Sequence, residues 1–127
     1  MRADQSLIVE YLDNGNFRLI DDFVFYLDND LFFKIEKGFV TDFGSIPLCF
    51  QNIISPIGNA TKAYVLHDWL LYLYYLSNKK ANINGIKLTS RKVCDKILYR
   101  ALIKLKVNKV KAYIIYLCVR FYALFKE

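Results

Sequence analysis

Leu7-Ile-Val-Glu-Tyr-Leu12, Asp13-Asn-Gly-Asn16 and Phe17-Arg-Leu-Ile20 set two strand-like runs on either side of an Asn-Gly pair. Asn and Gly tolerate the positive φ angles of a tight hairpin turn, so this stretch predicts paired antiparallel strands. A second pair follows, Phe23-Val-Phe-Tyr-Leu27 and Leu31-Phe-Phe-Lys-Ile35, separated by Asp28-Asn-Asp30. The pattern predicts a small antiparallel β-meander over residues 7–40. It breaks at Thr41, and both prolines and two of the five glycines fall between there and Asn59, which reads as a long shaped loop, 41–59. Helical periodicity then predicts three helices at about 60–77, 90–106 and 109–125, the second capped by Thr89 or Ser90 and preceded by a polar loop through Asn78 to Gly85. Strands first and helices afterwards give an α+β class, with helices on one face of a small sheet. A length of 127 residues suits a single domain, 1–127.

The chain is 55% hydrophobic, with ten Tyr and ten Phe, more apolar surface than a core of this size needs. Part of it is expected to meet a partner or a membrane. The net charge of +6 favours polyanions without choosing among nucleic acid, anionic lipid and an acidic protein. The three cysteines, Cys49, Cys94 and Cys118, form no Cys-x-x-Cys pair, which argues against a zinc knuckle or redox motif and for a reduced folding environment. The first residues alternate rather than run apolar, so no signal peptide is expected. The apolar run Ala112 to Val119 stops at Arg120, short of the roughly 20 residues of a spanning helix.

His67 is the only histidine and stands beside Asp68 in Ala63-Tyr-Val-Leu-His-Asp-Trp-Leu-Leu-Tyr72, an otherwise apolar stretch. An imidazole is the side chain whose charge changes most readily near neutrality, and burial next to a carboxylate makes its placement chemically informative. On the helical wheel His67 shares a face with Ala63, Leu70, Leu71 and Tyr74, while Asp68 points about 100° away. On the second helix Cys94, Ile97, Leu98, Ala101 and Leu105 form the apolar face and Lys92, Lys96, Arg100 and Lys104 a basic stripe at i,i+4 spacing. Asp95 lies between the two faces, where a carboxylate can look across a helix pair at a histidine.

The candidate constellation is therefore His67, Asp68 and Asp95 on two helices, with Asp42 from the preceding loop. A carboxylate that fixes the imidazole tautomer lets the ring deprotonate water. Further carboxylates suit calcium, which takes six to eight oxygens, and a His with several Asp suits a transition metal. Structural readings account for the same residues. His67 is then a hydrogen-bonded core histidine, Asp68 pairs with a nearby Lys or Arg, Asp95 pairs with Arg91, and Asp42 is a turn residue.

Gly38-Phe-Val-Thr-Asp-Phe-Gly-Ser-Ile-Pro47, Ala63-Tyr-Val-Leu-His-Asp-Trp-Leu-Leu71 and Ser90-Arg-Lys-Val-Cys-Asp-Lys-Ile-Leu-Tyr-Arg-Ala101 together resemble a phage and prophage family, domain of unknown function 1353. The resemblance covers about residues 30 to 120 and implies a phage-encoded protein, without an activity. More distantly, His67-Asp68 on one helix and Cys94-Asp95 on the next look like the two catalytic helices of phospholipase A2. That likeness implies His67 as the base, Asp95 as its orienting partner and Asp68 as a calcium ligand. Leu71 stands in place of that family's tyrosine, its disulfides are absent, and the Thr41 to Pro47 loop would have to replace its calcium loop.

The leading expectation is a virion-associated or accessory phage protein acting as a metal-assisted ester hydrolase, with catalytic His67 and Asp95, metal ligands Asp68 and Asp42, and calcium favoured over zinc. The alternative is a non-enzymatic virion structural or membrane-associated protein with a buried His/Asp network. A cell-wall metallopeptidase is the third, although zinc sites of that kind normally use more than one histidine. Expected partners are virion proteins or membrane lipid, with nucleic acid as an unspecific option, and the expected setting is the virion or the host cytoplasm. Oligomeric state is not legible.

Overall fold

A computed structural model describes residues 7–14, 16–28, 31–41, 61–78, 82–83 and 85–123, without the side chains of 122 and 123. Within these the class is α+β: antiparallel strands come first and three helices follow.

The strands are β1 (Val9–Tyr11), β2 (Phe17–Leu19), β3 (Phe23–Tyr26), β4 (Phe32–Ile35) and β5 (Val40–Thr41). They divide into two small sheets. β2 is the centre of one, pairing with β1 through Val9↔Leu19 and Tyr11↔Phe17 and with β5 through Phe17↔Thr41. The β3–β4 hairpin, with Phe25↔Phe33 opposite each other, is a separate ribbon inserted between β2 and β5. Period-two alternation explains why it folds onto the core: Phe23, Phe25, Phe33 and Ile35 are buried, while Phe32 and Lys34 face outward. Gly38, at φ +92°, turns the chain back so that its N–H donates to Leu19 O and Leu19 N–H donates to Phe39 O, both at 2.9 Å.

The helices are α1 (Thr61–Leu76), α2 (Arg91–Lys104) and α3 (Lys109–Ala123), close to the predicted spans. The loop before α2 carries one structural addition, a hairpin of β6 (Asn82–Ile83) and β7 (Ile86–Lys87) turned by Gly85 at φ +88°. Ser90 stands at the N-cap of α2 but its side chain makes no capping bond. Asn108 caps α3 fully, its Oδ1 accepting from Val110 N at 2.9 Å and Lys111 N at 3.3 Å.

α2 ends in a Schellman motif: Val107 N–H donates to Leu102 O and Lys106 N–H to Ile103 O, each at 3.0 Å, with Lys106 left-handed at φ +63°. Leu102 and Val107 are both buried, the apolar contact that accompanies this motif. The tight turn makes α2 and α3 neighbours.

α1 lies between the strands and α2, touching β4 and β5 on one side, and α2 in turn packs on α3. One apolar core runs through all three layers, from Phe23, Phe25 and Phe33 through Leu66 and Leu70 to Leu98, Leu102 and Ile115. α1 is most deeply buried from Ala63 to His67 and at Trp69, Leu70 and Tyr74, while Tyr72, Tyr75 and Leu76 near its C-terminal end are exposed. No helix among the described residues is long and apolar enough to cross a membrane.

Candidate functional site

Three helices each contribute one polar side chain to a single buried network. His67 Nε2 on α1 lies 2.7 Å from Asp95 Oδ1 on α2, and Arg120 Nη1 on α3 donates to Asp95 Oδ2 at 2.8 Å. Asp95 is 0% exposed and His67 4%, whereas the Arg120 side chain is 23% exposed and so connects the network to the surface. Burial pushes the Asp95 carboxyl up, but the hydrogen bonds and charges of His67 and Arg120 outweigh it and hold the group below the usual carboxylate range.

An ionised carboxylate only accepts, so His67 donates through Nε2–H. In the neutral ring this leaves Nδ1 as the bare, basic nitrogen, and no other described residue hydrogen-bonds the imidazole. Asp95 thereby fixes the tautomer, the arrangement a histidine base requires.

Asp68 serves a different place. Its Oδ2 accepts from Thr41 Oγ1 at 2.5 Å, tying α1 to β5. Both side chains line an open cleft of about 660 Å³ together with Asn16, Phe39, Tyr72 and Tyr75. Trp69 stacks on Tyr72 with ring centroids 5.6 Å apart and meets Phe39 edge-on, so one wall of the cleft region is an aromatic cluster. His67 and Asp95 do not line this cleft.

The expected constellation therefore splits. His67 and Asp95 come together directly, while Asp68 sits beside Thr41 at the cleft. Asp42, the other expected metal ligand, lies outside the described residues. Asp95 does not pair with Arg91: that guanidinium instead donates to Tyr75 Oη at 3.2 Å and lies over the Tyr75 ring. An arginine one turn away on the same helix lost to one on another helix because α3 places Arg120 directly against the buried face of α2. Sequence reasoning treated Arg120 only as an interruption of an apolar run. A lone cation in such a run is itself a signal for a buried carboxylate partner. Tyr64, one turn before His67, was also missed. Its hydroxyl is buried with no hydrogen-bond partner among the described residues, and burial, with Cys118 nearby, pushes its pKa up.

Among the described residues no three His, Cys, Asp or Glu side chains converge as a metal cluster. Asp68 and Thr41 are hard oxygen donors of the kind calcium uses. A full shell would need further oxygens from backbone, water or substrate. Arg120 places a positive charge on the remaining Asp95 oxygen, which disfavours a metal there.

No curated protein and no solved structure matches the chain. The family model described as "Protein of unknown function (DUF1353)" matches residues 17–119, from β2 to the last turns of α3 and including His67, Asp68 and Asp95. The chain belongs to the DUF1353 family of proteins of unknown function.

Proposed function

We propose that the protein is an ester hydrolase in which His67, oriented by Asp95, activates water. The observation that supports this reading is the 2.7 Å contact between His67 Nε2 and an Asp95 carboxylate that His67 and Arg120 together hold below the usual carboxylate range against the cost of burial. His67 Nδ1 takes a proton from water as the water oxygen bonds to the ester carbonyl carbon. The imidazolium that results is stabilised by Asp95, and its proton passes to the alkoxide as the carbon–oxygen bond breaks. Asp68, with Thr41, is the proposed cation ligand at a cleft that His67 does not line, so calcium held there would polarise the ester carbonyl only for a substrate that reaches from the cleft to the Nδ1 side of His67. With His67 only 4% exposed, the reading requires substrate or water to reach the Nδ1 side of the ring. A phage-encoded, virion-associated setting is part of the proposal and rests on the motif resemblance alone.

The test is release of product from fluorescent phospholipid vesicles, with calcium and with chelator, by the wild type and by folded His67→Gln and Asp95→Asn variants. Calcium-dependent release lost in both variants supports the reading. Absence of release under every condition overturns it.

The second reading is a non-enzymatic scaffold. It is favoured by the completeness of the His67–Asp95–Arg120 network, which clasps three helices, and by the exposed apolar positions Val110, Leu117 and Phe121 along α3. A surface of that kind suits a virion protein or a membrane interface.

A further inference from the structure

Where α2 and α3 meet, at a surface that shares no residue with the His67 network or the Asp68 cleft, Tyr99, Tyr113 and Tyr116 close on one another beside Lys96 and Arg100. Tyr99 meets Tyr113 and Tyr116 edge-on at centroid distances of 6.5 and 5.9 Å, and Tyr113 and Tyr116 lie 6.3 Å apart with their planes only 30° from parallel. With Lys96 and Arg100 they line a depression of about 370 Å³. Tyr113 is 53% exposed, so about half of this side chain is presented to solvent rather than used up in the core.

Two independent properties of this patch point to one class of ligand. The rings offer flat apolar faces wide enough for a planar aromatic group. Along the same edge, Lys92, Lys96 and Arg100 follow one another at i,i+4 spacing on α2 and are exposed. Arg100 has only a loose ion pair, 3.9 Å to Asp28, between two half-exposed side chains. A ligand that alternates planar aromatic groups with regularly spaced negative charges satisfies both. Single-stranded nucleic acid is that ligand: bases stack on aromatic side chains whatever their sequence, while a basic stripe follows the phosphates. A duplex, whose bases are already stacked on each other, offers the rings nothing. An anionic lipid surface would use the cations but has no need of stacked tyrosines.

We propose that the Tyr99–Tyr113–Tyr116 patch with Lys92, Lys96 and Arg100 is a binding surface for single-stranded nucleic acid, without sequence preference. It shares no residue with the proposed hydrolytic site, and either reading stands or falls without the other.

The experiment is fluorescence anisotropy of a labelled oligothymidylate of about 12 nucleotides, titrated with the full chain at salt concentrations from about 50 to about 200 mM. Binding is expected to weaken steeply with salt, and a duplex of the same length should compete poorly. Tyr113→Ala is expected to weaken binding by about tenfold or more, as loss of a stacking platform does, while Tyr113→Phe retains it. The exposure of Tyr113 means that truncating it leaves the core intact. Lys96→Ala and Arg100→Ala should each lower the salt dependence by about one counterion's share, roughly 0.7 in the log–log slope. No anisotropy change at the lowest salt, or binding undiminished in Tyr113→Ala, overturns the proposal. So does sedimentation with phosphatidylglycerol vesicles by a protein that ignores the oligonucleotide, which assigns the patch to a lipid surface.

Discussion

His67 Nε2 and Asp95 Oδ1 lie 2.7 Å apart although 28 residues separate them in the chain. The contact exists because α1 and α2 pack side by side, and it is completed by Arg120 from α3 on the carboxylate's other oxygen. One carboxylate thus holds all three helices, and the same contact fixes the histidine tautomer. Structural and chemical roles converge on Asp95, so variants must be chosen to separate them.

Removing Asp95 is expected to be strongly destabilising. Asp95→Ala leaves His67 and the largely buried Arg120 without their shared acceptor, the kind of loss that costs about 3–5 kcal/mol. Asp95→Asn keeps an acceptor oxygen and is expected to lose less. Urea unfolding followed by circular dichroism measures both. Equal, small losses would mean that the network adds little to stability.

The network also sets an acid limit. The Asp95 carboxyl titrates below its ordinary value of 3.8 when folded, so its contribution is complete well above that value and is lost as pH falls through the folded pKa. Wild-type stability should therefore fall in acid more steeply than that of Asp95→Asn, which carries no titrating carboxyl there. Chemical denaturation at a series of pH values from about 6 down to about 3 checks the sign.

Phe32 and Phe33 are adjacent in β4 and opposite in consequence. Phe33 is 0% exposed and faces Phe25 across the hairpin, whereas Phe32 is 43% exposed. Phe33→Ala should cost about 3–5 kcal/mol and Phe32→Ala well under half of that. Comparable losses would mean that the ribbon packs in another register.

The junction of α2 and α3 separates a working cap from an idle one. Asn108→Ala removes two hydrogen bonds to the first turn of α3 and should cost about 1 kcal/mol. Ser90→Ala removes no capping bond and should change stability by less. Lys106→Gly relieves a left-handed residue at an exposed Schellman position and is expected to gain up to about 1 kcal/mol. Thermal melts of the three variants rank them.

The local code reached most of the secondary structure. Asn-Gly turn chemistry, two-residue alternation in Phe23 to Ile35 and helical periodicity after Thr61 are properties of short segments, and each predicted its element. The pairing of His67 with Asp95 was legible in part, because helical phase puts His67 on an apolar face and Asp95 at the margin of one, from which it can look across a helix pair. Other features depended on which segments meet. The division of the strands into two sheets follows from β5 returning to β2 rather than adding beside β4. The choice of Arg120 over Arg91 for Asp95, and the separation of Asp68 into a cleft with Thr41, follow from the packing of α1 against α2 and β5. Propensity and periodicity act over a few residues, so they determine elements and faces. Partners for a buried charge are chosen by whichever side chain the tertiary packing brings within hydrogen-bond reach, and no local pattern specifies that.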